Sequence, residues 1–321
     1  MALQELGLKA VSHTGSQVCI RTDDAHQKAR IVDINASKIG RELAADNVVI
    51  IAGFQGVGPD DEIYTLGRGG SDTTAVAVAA AINADVCEIY TDVDGVYTCD
   101  PRIVPNATKL KNISYDEMLE LASLGAKVLH PRSVEVAKVH DVKLCVRSSF
   151  NTYIGGTYVV KSEELEKEYA VTGIACDKNV AKVSIFGVED RPGIAAEIFG
   201  ALAEEKISVD MIIQSAMVDD LNDIAFTIAK SDAKRAKLII ESLQNALQYR
   251  KFYVDDNVVK ISAVGAGMVG AHGVAARMFS ALRDAGINID LIGTSEVKIS
   301  VIVEHDEDAL KRGMQALHDA F

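Results

Sequence analysis

The segment Thr65-Leu-Gly-Arg-Gly-Gly-Ser-Asp-Thr-Thr-Ala75 holds the residues best suited to chemistry. Gly67, Gly69 and Gly70 let the backbone come close to a ligand, because a residue without Cβ tolerates both close contact and positive φ. Ser71 opens a helix of small residues, whose first-turn N–H groups favour an anion. Arg68 adds a planar fork matched to a carboxylate or a phosphate. An ordinary glycine-rich helix entry with an exposed arginine shares some of these features. The order Gly-Arg-Gly-Gly-Ser-Asp and the preceding Gly53-Phe-Gln-Gly56 loop favour an anion site. It is not a Walker loop, since GxxxxGK[ST] is absent.

The elements that must position this loop alternate. Asn47–Ala52 is a short β-rich run, followed by a helix over Ser71–Asn83 and a strand over Val86–Thr91. Asp92-Val-Asp-Gly95 is a turn. Helices over Tyr115–Leu124 and Pro131–His140 and a strand over Val142–Val146 follow. This order predicts an α/β fold with a mostly parallel sheet between helices, over residues 1–160. The charged stretch Lys161–Tyr169 reads as a linker or short surface helix, which places a linker at 161–170.

The second half repeats itself. Gly193, Phe199, Ala201, Leu202, Ile207, Asp210 and Ser215 recur as Gly273, Phe279, Ala281, Leu282, Ile287, Asp290 and Ser295, without a gap. Each copy reads as βαββα with a further strand, a ferredoxin-like unit. The copies are assigned to 171–250 and 251–321, and two units this small are expected to pack on each other.

Gly53-Phe54 with Thr65–Thr74 resembles the amino-acid kinase superfamily, and within it the aspartate kinase family. Thr91-Asp-Val-Asp-Gly-Val-Tyr-Thr-Cys-Asp-Pro-Arg102 is similar to that family's nucleotide loop. Gly125-Ala-Lys-Val-Leu-His-Pro131 is similar to a further family motif. The resemblance implies transfer of the ATP γ-phosphoryl group to the β-carboxylate of L-aspartate, with Mg²⁺. It places Thr91, Asp92, Tyr97, Arg102, Lys127 and Val128 around ATP. Arg68 would hold the aspartate carboxylate, with Gly69, Gly70 and Ser71 beside it and Asp72 and Lys127 in the catalytic set. Asp72 fits a helix cap as well as a group that orients Mg²⁺ and its water, and the residues leave both readings open. Tyr97 could be core, Arg102 solvated and Lys127 a surface lysine; His130 reads as structural. A carboxylate nucleophile is already ionised at neutral pH, so the absence of a Ser-His-Asp or Cys-His set is expected.

The repeat resembles paired ACT modules. That resemblance puts Asp190, Ile194, Ala195, Val209, Asp210 and Gln214 near a feedback amino acid, lysine or threonine or both, with Asn288 and Ile289 in the second copy. Asp190 also fits a helix N-cap. Because one module is inserted within the other in that family, Val171–Asp177 is expected to be able to pair with the second copy. ACT modules cover each other's sheet edges, which implies a homodimer.

The net charge of -13 argues against nucleic acid and anionic membranes, both of which require a basic face. The five cysteines form no CxxC pair, and neither a zinc site nor a disulfide framework is expected; they read as reduced thiols of a cytoplasmic protein. No resident metal site is expected. The Lys-(Phe/Tyr)-Gly-Gly-Thr-Ser loop that opens aspartate kinases does not occur before Gly53. The expectation is therefore a kinase domain lacking its N-terminal part, either active or retained as the scaffold of a regulatory, amino-acid-binding subunit. A kinase for glutamate or acetylglutamate is disfavoured by the tandem modules.

Overall fold

A computed structural model describes residues 1–125, 128–165, 169–215 and 221–321. The chain forms two compact units, one of residues 1–101 and 106–172, the other of 102–105 and 173–321. The division falls at Thr172–Gly173, after the charged stretch. Thr157–Val160 is built into the first unit's sheet, and the Thr172 hydroxyl donates to Glu117 Oε1 at 2.6 Å.

The first unit is mixed α/β. Cys87–Thr91 pairs in parallel with Leu144–Ser148, which pairs antiparallel with Thr157–Val160, which pairs in parallel with Asn112–Ser114. Ala10–His13 and Val48–Ile51 form a separate parallel pair. A third sheet orders Ile31–Ile34, Ile20–Thr22, Gln55–Val57 and Ile63–Thr65. Part of the stretch read as a Gly53–Gly56 loop is thus a strand. Gly56 is a packing requirement there: a Cβ would lie 2.4 Å from Thr22 Cγ2.

The helix Gly70–Ala81 packs on the helix Pro131–His140. Its uniformly small, apolar residues suit burial on several sides. The strand expected over Val142–Val146 begins two residues later, at Leu144. The Val142 carbonyl is taken by the Tyr115 hydroxyl at 2.9 Å, and its N–H closes the preceding helix on Ala137 O. Neither group is then available to the sheet. The helix Tyr115–Ser123 starts at a full capping box, with the Ser114 side chain and Glu117 satisfying each other's backbone amides.

In the second unit each repeat is a four-stranded antiparallel sheet with two helices of ten residues or more. The first copy orders Val209–Gln214, Leu221–Ala229, Val180–Glu189 and Lys251–Asp255. Its core of Val183, Ile185, Ile198, Leu202, Phe226 and Ile240 is fully buried. The second copy orders Leu291–Thr294, Lys298–Glu304, Val258–Val264 and Gly173–Asp177. The fourth strand of the second sheet therefore precedes the whole first copy, pairing Gly173 with Val264 and Asp177 with Lys260.

The copies exchange charges symmetrically. Lys182 pairs with Asp290, and Lys260 pairs with Asp210 at 2.5 Å. The two lysines are equivalent by repeat, as are the two aspartates, so each copy's lysine meets the other's aspartate. The Lys260 side chain is 8% exposed and Asp210 is 51% exposed. Asp210→Ala leaves the lysine buried and unpaired. A loss of about 2 kcal/mol is expected, below the value for a wholly buried pair because Asp210 is half in water. Denaturant unfolding should show that loss, and Lys260→Met in the same chain should restore most of it.

Candidate functional site

The strand Ile63–Thr65 runs into Leu66, whose N–H donates to Phe54 O at 3.0 Å. Gly67 (φ +79°) and Gly69 (φ +70°) then turn the chain into the helix Gly70–Ala81. Two threonines of that helix bond back to the loop: Thr73 Oγ1 donates to Gly69 O (3.0 Å) and Thr74 Oγ1 to Gly70 O (2.7 Å). Thr74 Oγ1 also accepts from the Phe54 N–H at 3.1 Å, which fixes the Gly53–Phe54 turn over the helix start. Phe54 holds φ +72°, an unusual value for an aromatic residue. Arg132 supports the loop from behind, its two terminal nitrogens donating to Leu66 O and Ala29 O, both at 2.8 Å.

His130 is the wedge beneath Gly69. A Cβ on Gly69 would lie 2.2 Å from His130 Cβ and Cγ. His130 Nδ1 accepts from the Arg132 N–H at 3.3 Å, which leaves the ring proton on Nε2. Burial, and then the neighbouring Arg132 and Arg68 charges, hold the imidazole below its usual pKa despite Asp72, so the ring is neutral at neutral pH. Arg68 is exposed, and among the described residues no carboxylate pairs with it. A cation on a rigid glycine turn at a helix start is an anion-binding arrangement.

Asp72 lies in the first turn of that helix, half-buried. Burial raises its carboxyl above the ordinary value, against the smaller pull of the His130 backbone and ring. A folded pKa above the unfolded one means that the ionised form costs stability at neutral pH. Asp72→Asn is therefore expected to raise the melting temperature at neutral pH. That gain should fade as the pH falls through the folded pKa and vanish below the unfolded value. Thermal melts from pH 7 downward check this. Asp72 also raises the thiol of Cys87 on the packed strand, which burial pushes up to about 11.

The second cluster lies at strand ends. Thr91 and Ser148 are the last residues of adjacent parallel strands, and ligands in α/β sheets lie outside such carboxyl ends. The Ser149 N–H and hydroxyl both donate to Thr91 O, at 2.8 and 2.9 Å. The Thr91 hydroxyl donates to exposed Asp92 at 3.1 Å. Tyr97 is half-buried and donates to Asp94 Oδ1 at 3.0 Å, and Lys109 Nζ donates to Asp94 Oδ2 at 3.2 Å and to Gly155 O at 2.8 Å. Burial raises the Asp94 carboxyl, but the bonds from Lys109 and Tyr97 outweigh it and leave the group below its usual value. Lys109 escaped the sequence reading because it lies outside the Thr91–Arg102 motif and reaches it only through the pairing of Tyr97 with Lys109.

Of the other expected residues of this set, Arg102 and Val128 are described. Arg102 groups with the second unit. Val128 is half-buried two residues before His130, and Lys127 lies outside the described residues. Among the described residues no three His, Cys, Asp or Glu side chains converge as metal ligands, and no helix is long and apolar enough to cross a membrane.

In the second unit, Asp190, Ile194, Ala195 and Gln214 line one cavity of about 120 Å³, together with Asn222 and Ile224. Gly193 (φ +101°) caps the helix Ile194–Glu204 at its edge. Asn222 Nδ2 donates to Asp190 Oδ1 at 2.8 Å. No sequence signal marked Asn222, because it has no counterpart in the repeat. Val209 and Asp210 share a strand with Gln214, but they do not line this cavity; Asp210 is engaged by Lys260. Asn288 is exposed and Ile289 half-buried, both before the strand Leu291–Thr294 and apart from the cavity.

Comparison with known proteins places these sites in context. Residues 1–148 match the amino acid kinase family, and 183–248 and 261–321 each match the ACT domain. The aspartokinase of Corynebacterium glutamicum is 50% identical over 325 residues, an alignment covering all of this chain and 77% of that protein. The structure of E. coli aspartokinase III in complex with aspartate and ADP superposes with a TM-score of 0.81 at 29% identity, covering 99% of this chain and 71% of that one. The same enzyme in complex with lysine and aspartate gives 0.76 at 29% identity, with 99% and 70% covered. With a glycine–arginine anion loop, paired strand ends and a duplicated ferredoxin-like unit all in one chain, and half of its residues shared with a curated relative, the chain belongs to the aspartokinase family.

Proposed function

We propose that the chain transfers the γ-phosphoryl group of ATP to the β-carboxylate of L-aspartate, giving 4-phospho-L-aspartate and ADP. The observation that carries this reading is Arg68, an exposed cation without a carboxylate partner among the described residues, fixed between Gly67 and Gly69 at a helix start. The aspartate carboxylate is a nucleophile without any base. The site's work is to align it with the phosphate and to offset charge. Arg68, Gly69, Gly70 and Ser71 hold aspartate. Thr91, Asp92 and Tyr97 face the nucleotide, whose phosphates bring Mg²⁺ with them. Lys127 is assigned to the phosphates by its motif.

The second unit is the regulator. An amino acid, lysine or threonine, would bind in the cavity with its ammonium on Asp190 and its carboxylate at the start of the helix Ile194–Glu204. A homodimer through this unit is supported by Ile212 and Ile292, exposed at equivalent positions on the edge strands Val209–Gln214 and Leu291–Thr294. ADP release by the purified chain should depend on L-aspartate and not on L-glutamate, and should fall as lysine or threonine is added. Amino-acid binding without any aspartate-dependent ADP release would instead make it a regulatory chain on a kinase scaffold.

A further inference from the structure

We infer that Lys109 is a positioning residue for the nucleotide site, holding the Tyr97 ring in place through Asp94. This rests on the reading of Thr91, Asp92 and Tyr97 as the nucleotide's neighbours.

Asp94 is the link. Tyr97 Oη donates to its Oδ1 at 3.0 Å, and Lys109 Nζ donates to its Oδ2 at 3.2 Å. One carboxylate thus ties the phenol to the ammonium, with an oxygen for each. Burial, and then the bond to Asp94, raise the Tyr97 phenol above its usual value, so it keeps its proton and stays a donor. Bonds to an ionised partner are stronger than neutral ones. The Asp94 side chain is 32% exposed. Without the ammonium it is free to turn toward water, and Tyr97 loses a fixed acceptor.

Lys109 is itself anchored. Its side chain is 25% exposed, and its ammonium also donates to Gly155 O at 2.8 Å. Backbone pairing fixes its origin. Lys109 and Tyr97 form an antiparallel bridge, flanked by Leu110 N–H to Val96 O and Thr98 N–H to Thr108 O, both at 2.9 Å. Thr157, fully buried, closes the same ribbon. Its hydroxyl accepts from the Val96 N–H at 2.9 Å and donates to Leu110 O at 2.6 Å. Gly95 leaves room for both side chains: a Cβ there would lie 2.6 Å from Thr157 Oγ1 and 2.9 Å from Lys109 Cδ.

The loop's backbone is therefore held at Thr91, by Ser149, and at Val96, by Thr157. Neither contact orients the Tyr97 side chain, which depends on Asp94. A lysine that only closed a ribbon would end its influence at its carboxylate partner. Here that carboxylate passes the constraint to a ring in the site. The ammonium is engaged by two protein acceptors, so its effect on the nucleotide runs through Asp94 and Tyr97.

Calorimetry on the full chain with MgATP, and separately with L-aspartate, tests this without requiring turnover. Lys109→Met, which keeps the apolar stem, is expected to weaken MgATP binding about tenfold and to leave L-aspartate binding within about twofold. Tyr97→Ala should weaken MgATP at least as much. Adding Lys109→Met to it should change little more, because the ring through which the lysine acts is gone. If Lys109→Met does not fold, Asp94→Ser cuts the same link and should show the same selective loss. An equal loss for both ligands, or a Lys109→Met loss that persists in full beside Tyr97→Ala, overturns the positioning role. So does a folded Lys109→Met chain that binds MgATP undiminished while Tyr97→Ala weakens it. An unmodified protein that binds no MgATP, or a Tyr97→Ala chain that binds it as tightly, overturns the nucleotide reading of the loop, and this assignment with it.

Discussion

Gly69→Ala is expected to reduce kcat/KM for aspartate phosphorylation about a hundredfold or more. Two costs fall on the same atom. The new Cβ would stand 2.2 Å from His130 Cβ and Cγ, well inside contact distance. Alanine at φ +70° also carries the left-handed penalty of about 1–2 kcal/mol. His130 has little room to withdraw. It caps the helix Pro131–His140, with its ring held by the Arg132 N–H and its carbonyl by Ser133 Oγ at 2.7 Å. The loop is the part that yields, carrying Arg68 and the first amides of the helix away from their positions. A displacement of about 1 Å in a positioned group is enough for a loss of this size. The double variant Gly69→Ala/His130→Gly, which lacks both the Cβ and the ring at 130, removes the collision and leaves the torsional cost, so it should recover part of the activity. Steady-state kinetics on the three chains separate the two terms.

Arg68→Ala is expected to raise the KM for aspartate about a hundredfold or more while leaving the KM for ATP within about threefold. The guanidinium is exposed, so its removal opens no cavity and strands no buried charge. Melting temperature should therefore stay within about two degrees. Lysine at this position keeps the charge and loses the fork, and should recover only part of the binding. If instead the KM for ATP rises and that for aspartate does not, Arg68 is a phosphate partner.

The anion loop was legible because its requirements are local. Three glycines, an arginine and a helix start lie within five residues, and each type has one main use. The repeat was legible because seven identities keep one spacing. What stayed hidden depends on contacts between distant residues. The pairing of Gly173–Asp177 with Val258–Val264 was expected only through the family resemblance, because nothing in its own residues sets that partner apart from the copy that follows at once. His130 supports Gly69 from sixty-one residues away, and composition alone could not set the wedge apart from an ordinary helix cap. Asp210 illustrates the converse. The family resemblance put it near the effector, and the structure adds a contact that its recurrence alone did not reveal, a charge exchange between copies. Asn222 was invisible for the opposite reason, since a residue present in only one copy leaves no trace in a comparison of the two.

The most direct measurement traps the product. The purified chain, given MgATP, L-aspartate and hydroxylamine, should accumulate aspartyl hydroxamate in proportion to the ADP released. The Arg68→Ala chain should form little hydroxamate at aspartate concentrations that saturate the unmodified protein, while binding ATP normally. Hydroxamate formed at an undiminished rate by the Arg68→Ala chain, or ADP released without any hydroxamate from the unmodified protein, would contradict the account.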